Sequence, residues 1–258
     1  MTRRAFLPAA AAGTGLGAAA ADPPARATIE ISYYRLRNTA ENQRQRLSQF
    51  LEKSYLPAMY RAGSGPVGFF ANSIGPDGPF LMVLTSYPNM AGFEQTRDKL
   101  TADAEFAKAL EAFNALPGLN YERGERVLLR GFPSMPKIEV PPADPKKSRI
   151  FEVRQYESNN LSTLRRKIDM FDKGEIAIFR RVGMQTVFFG EMIVGTRLPN
   201  LVYMVGYDDL AAREKAWRAF GGDPEWAKMR STPGWADAEI VSNITNFIVS
   251  PLAFSEIR

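Results

Sequence analysis

Phe80-Leu81-Met82-Val83-Leu84-Thr85-Ser86-Tyr87 and Asn200-Leu201-Val202-Tyr203-Met204-Val205-Gly206-Tyr207 lie 120 residues apart in a chain of 258. Each is a short apolar run that ends in Tyr, and other segments keep the same spacing. Arg61-Ala62-Gly63 answers Arg181-Val182-Gly183, and Val67-Gly68-Phe69-Phe70 answers Val187-Phe188-Phe189-Gly190. Asp103-Ala104-Glu105-Phe106 answers Asp223-Pro224-Glu225-Trp226. Self-similarity at a fixed spacing is the mark of a duplicated unit. Nearer the start, Leu36-Arg37 is set against Val153-Arg154, a spacing of 117 that implies three extra residues around the second copy's first helix.

Within each copy the apolar periodicity changes in the same order. Ile29–Arg37 and Arg149–Tyr156 alternate as first strands, and helical spacing follows at Leu47, Phe50, Leu51 and Tyr55 and at Leu164, Ile168 and Phe171. Strands are expected at Val67–Ile74 and Phe80–Tyr87, joined by the turn-forming Gly75-Pro76-Asp77-Gly78-Pro79. Their equivalents are Met184–Val194 and Leu201–Tyr207. Helices start near Asn89 and Asp208 and again at Asp103 and Asp223, and last strands cover Tyr121–Arg130 and Glu239–Val249. The order is β-α-β-β-α-β, the ferredoxin-like split arrangement of an α+β fold. Its helices cover one face of the sheet, yet the strands are apolar on both: Leu201, Tyr203, Val205 and Tyr207 on one side, Val202 and Met204 on the other. The bare faces of the two units are therefore expected to meet around a barrel-like core, making the chain an internal pseudo-dimer.

The domain reading is a leader at 1–21, a first repeat at 27–131, a linker at 132–148 and a second repeat at 149–251. Pro133, Pro136, Pro141, Pro142 and Pro145 make the linker stiff and extended. Thr2-Arg3-Arg4-Ala5-Phe6-Leu7, an Ala/Gly-rich stretch and then Asp22-Pro23-Pro24 have the form of a twin-arginine export signal. That predicts a periplasmic or extracellular protein that folds before export. No later stretch approaches the length of a membrane span, so the mature protein is not expected to be membrane-embedded.

Two missing residue types narrow the chemistry. The chain has no Cys and no His. Disulfides, thiolate nucleophiles, Cys-based zinc and iron–sulfur sites, and His-ligated metal or haem fall away, as does the usual general base. The formal charge of +5 falls to +3 once Arg3 and Arg4 leave with the leader, and its basic residues are dispersed among acids, which gives no footprint for nucleic acid. No phosphate-binding loop, nucleophile elbow or carboxylate metal cluster appears, so no cofactor, metal or catalytic residue is assigned.

Phe151-Glu152-Val153-Arg154-Gln155-Tyr156 resembles the opening motif of NIPSNAP domains. Tyr203-Met204-Val205-Gly206-Tyr207-Asp208-Asp209-Leu210-Ala211-Ala212-Arg213-Glu214, with Asp223-Pro224-Glu225-Trp226, resembles that family's later signature. The first copy is less similar: Phe93 stands for Arg213, and Ala104-Glu105-Phe106 for Pro224-Glu225-Trp226. The resemblance implies a dimeric α/β-barrel. It implies little about activity, because that fold carries oxygenases, haem enzymes and isomerases.

A feature present in both copies points to scaffold, and a feature in one copy is freer to be a site. Asp103 and Asp223 read as helix caps, and so does Asp208-Asp209. Arg37 and Arg154, matched on the first strands, read as scaffold. Leu210, Arg213, Trp217 and Phe220 share a helix face, as do Met90, Phe93, Arg97 and Leu100. The Arg and the aromatic exchange places between the copies, which suggests a preserved contact such as Arg on an aromatic ring. The leading functional reading is a barrel that holds a small apolar or aromatic ligand between its sheets. Tyr34, Tyr156, Phe189 and Tyr203 would form the wall, and Arg154 or Arg213 the anion contact. A cofactor-independent oxygenase or isomerase is the second reading, and a structural protein-interaction module the third. Further assembly into a homo-oligomer stays open.

Overall fold

The computed structural model describes residues 25–142 and 149–258. The expected leader at 1–21 and the end of the linker lie outside the described residues. Eight strands form one closed antiparallel barrel: β1 (Thr28–Arg35), β2 (Val67–Ile74), β3 (Phe80–Tyr87), β4 (Arg123–Gly131), β5 (Ile150–Glu157), β6 (Gln185–Val194), β7 (Asn200–Tyr207) and β8 (Asn243–Pro251). Their order around it is β1-β3-β2-β8-β5-β7-β6-β4. Each repeat thus supplies a sheet of ferredoxin-like order, β4-β1-β3-β2 and β8-β5-β7-β6, and the two join where β2 meets β8 and β4 meets β6. Closure leaves no edge strand unpaired, which is the reason two repeats are needed.

The helices are α1 (Gln43–Phe50), α2 (Leu56–Arg61), α3 (Met90–Ala102) and α4 (Ala104–Asn114) in the first repeat. The second has α5 (Leu161–Met170), α6 (Ile176–Arg181), α7 (Leu210–Gly221), α8 (Pro224–Arg230) and the single turn α9 (Asp237–Ile240). A π-helical turn, Leu51–Tyr55 or Phe171–Glu175, joins the first two helices of each repeat at matched positions. The matched Asp103 and Asp223 cap α4 and α8 and also bind Arg61 and Arg181, each at 2.7 Å. The glycines after those arginines take φ of +78° and +91°, a left-handed helix end that favours Gly. Asp209 caps α7, accepting from the Ala212 N–H at 2.7 Å. In the second copy β8 starts at Asn243, later than the expected Glu239. Ile240 is fully buried under the helices, and the turn α9 puts it there.

Strand pairing corrects the alignment of the first strands. Thr28 faces Tyr87 and Ile150 faces Tyr207, so Glu30, Ser32 and Tyr34 correspond to Glu152, Arg154 and Tyr156. Arg37 lies beyond β1 and is not the counterpart of Arg154. The second copy has no net insertion here: its β5–α5 connection is shorter, while α5 is two residues longer than α1.

Three apolar layers follow from strand alternation. Ile29, Ile31, Phe70, Met82, Phe151, Val153, Phe188 and Met204 fill the barrel interior. The opposite faces of the two sheets pack against their own helices, through Leu47, Leu51, Phe69 and Tyr87 in one repeat and Tyr156, Phe171, Phe189 and Tyr203 in the other. The linker and the C-terminal tail do the same work by symmetry. Phe132 N–H bonds to the Phe189 carbonyl at 3.0 Å, and Leu252 N–H to the matched Phe69 carbonyl at 2.8 Å. Ile138 and Ile257 from these two straps join the barrel interior. Among the described residues no helix is long and apolar enough to cross a membrane.

Candidate functional site

The expected ligand wall does not lie between the sheets. On β1, Tyr33 shares the inward face with Ile29 and Ile31, which turns Tyr34 toward the helices; Tyr156, Phe189 and Tyr203 face the helices of their own repeat. Alternation defines two faces of each strand, and both are apolar here, so the pattern alone does not tell which one meets the other sheet. Between the sheets, apolar side chains pack the barrel interior, and one mouth of the barrel is open. There a cavity of about 500 Å³ is bordered by Tyr33, Phe80, Gln155, Arg197 and Phe247. Arg35 in that mouth is ion-paired with Glu125 at 2.8 Å and lies over the Tyr33 and Phe80 rings.

Five of the six candidates gather in the second repeat around a residue not singled out by the sequence, Glu152. Its side chain is fully buried on β5. Arg213 on α7 grips it with two hydrogen bonds, 2.7 and 2.9 Å, and Trp217 one turn on donates its indole N–H at 2.9 Å. Arg154 and Asn246 donate at 2.8 and 2.9 Å, and the Tyr207 hydroxyl at 3.4 Å. Burial alone would push this carboxyl up. The Arg213 hydrogen bonds and the Arg154 charge outweigh it and hold Glu152 at about 2. Arg154 lies over the Trp217 ring at 4.7 Å and donates to the Tyr156 hydroxyl at 3.3 Å; Tyr156 and Tyr203 share a hydrogen bond of 3.0 Å. Phe189 stacks on Tyr203 with ring centroids 5.1 Å apart. Beside them Lys167, also fully buried, binds Glu175 at 3.1 Å and Asp237 at 3.2 Å. Burial works against the ammonium, but these two carboxylates more than offset it and raise Lys167.

The first repeat carries the same frame with different contents. Glu30 is buried and accepts from Ser32 at 2.9 Å and from Tyr87 at 2.7 Å, and Arg126, the counterpart of Asn246, forms an ion pair with it. Ser32 stands where Arg154 stands, and Arg97 where Trp217 stands. The proposed common Arg–aromatic contact is therefore not preserved: Arg213 binds Glu152, the arginine on the Trp217 ring is Arg154, and Phe93 packs edge-on to Tyr87. Loss of the Arg154 and Trp217 side chains leaves a cavity of about 540 Å³ between β1, β4 and the helices. Leu47, Phe50, Leu100, Phe106, Leu110 and Phe113 form its apolar wall, and Ser32, Tyr34, Tyr55, Arg97 and Arg126 its polar end. Burial raises Tyr34 and Tyr55, so both stay neutral phenols. Tyr34 makes an edge contact with Tyr121, at 5.1 Å, and its hydroxyl has no hydrogen-bond partner among the described residues. Arg97 has no ion pair among them either. Of the six sequence candidates only Tyr34 lies on this cavity. Arg97 was visible as the odd member of the exchanged Arg–aromatic pair. Glu30 and Glu152 were hidden by the first-strand misalignment.

The NIPSNAP family profile matches residues 29–127 and 151–256, one match per repeat. The chain belongs to the NIPSNAP family. The weaker first copy is thus a NIPSNAP repeat as well. No curated protein matches the chain in sequence. Among solved structures, a provisionally assigned monooxygenase from Lactobacillus acidophilus NCFM is similar at 11% identity and TM-score 0.56, over 88% of this chain and 93% of that one. An anthrone oxidase-like protein is similar at 12% identity and TM-score 0.53, over 88% and 92%. These likenesses support the barrel fold alone. A NIPSNAP-like domain protein from Burkholderia xenovorans, at 25% identity and TM-score 0.37, covers 42% of this tandem NIPSNAP chain and 90% of its own.

Proposed function

We propose that this tandem NIPSNAP protein binds a small molecule with an apolar or aromatic body, in the first-repeat cavity rather than between the sheets. The observation that carries the reading is the asymmetry of the repeats. One buried-Glu frame is closed by Arg154 and Trp217, while the other leaves about 540 Å³ lined by aromatic rings with a few polar groups at one end. That combination of size and lining is typical of ligand pockets. The twin-arginine pattern at Thr2–Leu7 supports a ligand met outside the cytoplasm.

A cofactor-independent oxygenase or isomerase on the same cavity needs a base to take a proton from its substrate. Glu125, the carboxylate on its wall, is engaged by Arg35, and burial keeps Tyr34 and Tyr55 protonated. Binding is therefore better supported than turnover, and an open cavity weighs against a purely structural module. The neutral fluorophore N-phenyl-1-naphthylamine tests the reading. Gly124 borders the cavity opposite Tyr34, and a Cβ there meets only the Tyr121 ring, at 3.8 Å, so Gly124→Trp can direct an indole into the cavity from an unstrained β4 backbone. The wild-type protein is expected to bind one equivalent of the dye, and Gly124→Trp to weaken it at least tenfold. Equal binding by both proteins, or none by the wild type, refutes the assignment.

A further inference from the structure

We infer that the ligand carries a single negative charge, a carboxylate or similar monoanionic head, seated against Arg97. The inference rests on the first-repeat cavity being the ligand site. The charges around that cavity pair off one by one. Glu30 is held by Arg126 and Glu125 by Arg35, which leaves the Arg97 guanidinium facing the cavity without a carboxylate among the described residues. One anion opposite that half-buried guanidinium restores neutrality, where a dianion would leave a charge in excess. The Tyr34 phenol, kept protonated by burial and with no hydrogen-bond partner among the described residues, stands on the same polar end as a donor to that head. Phe50 stacks on Phe113 with centroids 4.3 Å apart, and with Leu110 they give the apolar body of the ligand its surface.

The second repeat supports the assignment by contrast. At the position of Arg97 it has Trp217, whose N–H goes to Glu152, and the second cation on that carboxylate, Arg154, is capped by the Trp217 and Tyr156 rings. Both repeats thus hold one cation more than their buried glutamate balances. In the first repeat that cation, Arg97, faces a cavity.

Displacement of N-phenyl-1-naphthylamine from the full-length mature protein by decanoate and by decan-1-ol separates charge from apolar body. Decanoate is expected to displace the dye at a concentration at least tenfold lower than decanol. Arg97→Met should bring the two competitors within twofold of each other, Arg97→Lys should keep part of the preference, and salt should weaken decanoate alone. Each displacement is normalised by the dye affinity of the same variant. Equal displacement by both competitors in the wild type, or a preference that survives Arg97→Met, overturns the charge assignment while leaving the cavity reading intact. Failure of the wild type to bind the dye overturns the cavity reading itself.

Discussion

Replacing Glu152 by Gln removes one charge and almost no volume from the second repeat. The carboxylate holds Arg213 through two hydrogen bonds and accepts from Arg154, Trp217 and Asn246. Gln keeps one acceptor oxygen and puts an NH₂ group against guanidinium donors. Arg154 and Arg213 are only 14% and 23% exposed, so water compensates them only in part. Leaving buried cations without their anion costs about 3–5 kcal/mol. An independent measure comes from the proton. A carboxyl held at about 2 against an ordinary 4.5 corresponds to roughly 3 kcal/mol. Because the folded value lies below the unfolded one, that stability is fully present above about pH 4.5 and is lost as pH falls through about 2.

The assay is urea unfolding of wild type and Glu152→Gln at a series of pH values between 7 and 2.5. The difference between them should be about 3–5 kcal/mol at pH 7, a large share of the total for a folded domain. Most of the pH-linked difference should close by pH 2.5, because the carboxyl of the unfolded chain is by then protonated and draws the wild type toward unfolding. Glu30→Gln is the internal comparison. The cation facing Glu30, Arg126, is 39% exposed and can turn to water, so the loss should be smaller. A Glu152→Gln difference below about 1 kcal/mol at pH 7, or one that does not change with pH, would refute the charge network as described.

Two further substitutions probe the frame. Lys167→Met strands the Glu175 carboxyl in the second helix layer and should cost about 3–5 kcal/mol, whereas Lys167→Met with Glu175→Leu should recover most of it; calorimetric melting that shows the pair no better than the single substitution would count against the buried bridge. Ile257→Ala removes a fully buried side chain that the C-terminal strap lends to the barrel interior, and should cost about 2–5 kcal/mol in urea unfolding; a loss under about 0.5 kcal/mol would show that the strap is not part of the core.

What was legible in the sequence was whatever depends on local chemistry repeated at fixed spacing. The caps at Asp103, Asp209 and Asp223, the strands ending at Tyr87 and Tyr207, and the β-α-β-β-α-β order all declare themselves through neighbours within a few positions. The Glu152 site does not. Its ligands Arg213, Trp217 and Asn246 come from α7 and β8, far along the chain, and only strand register brings them together. The register of the first strand was itself obscured, because the connection after β1 is longer than the one after β5, and Leu36-Arg37 offered a false match to Val153-Arg154. The expected wall residues face the helices rather than the other sheet, since a barrel strand that is apolar on both sides gives no sign of which side meets helices. The cavity was least legible of all, because it consists of volume that Ser32 does not fill.

That missing volume has an energetic consequence. A sealed, dry void is costly, but the 540 Å³ of the first repeat opens to solvent past the exposed Leu110 and Tyr121. Such a space persists in a folded protein only if water or a ligand fills it. Water is accommodated at the Ser32, Tyr34 and Arg97 end, where polar groups can hold it, and poorly along Phe50, Phe106 and Phe113, where none can. A molecule with one anionic end and an apolar body satisfies both ends at once. The barrel interior and the strand edges couple the two repeats and tolerate little change in either. The helix layers face outward independently, so one could close around Arg154 and Trp217 while the other stayed hollow at no cost to barrel closure. Duplication therefore separates the two demands that conflict in a single domain, a fully packed frame and a site with room for something else.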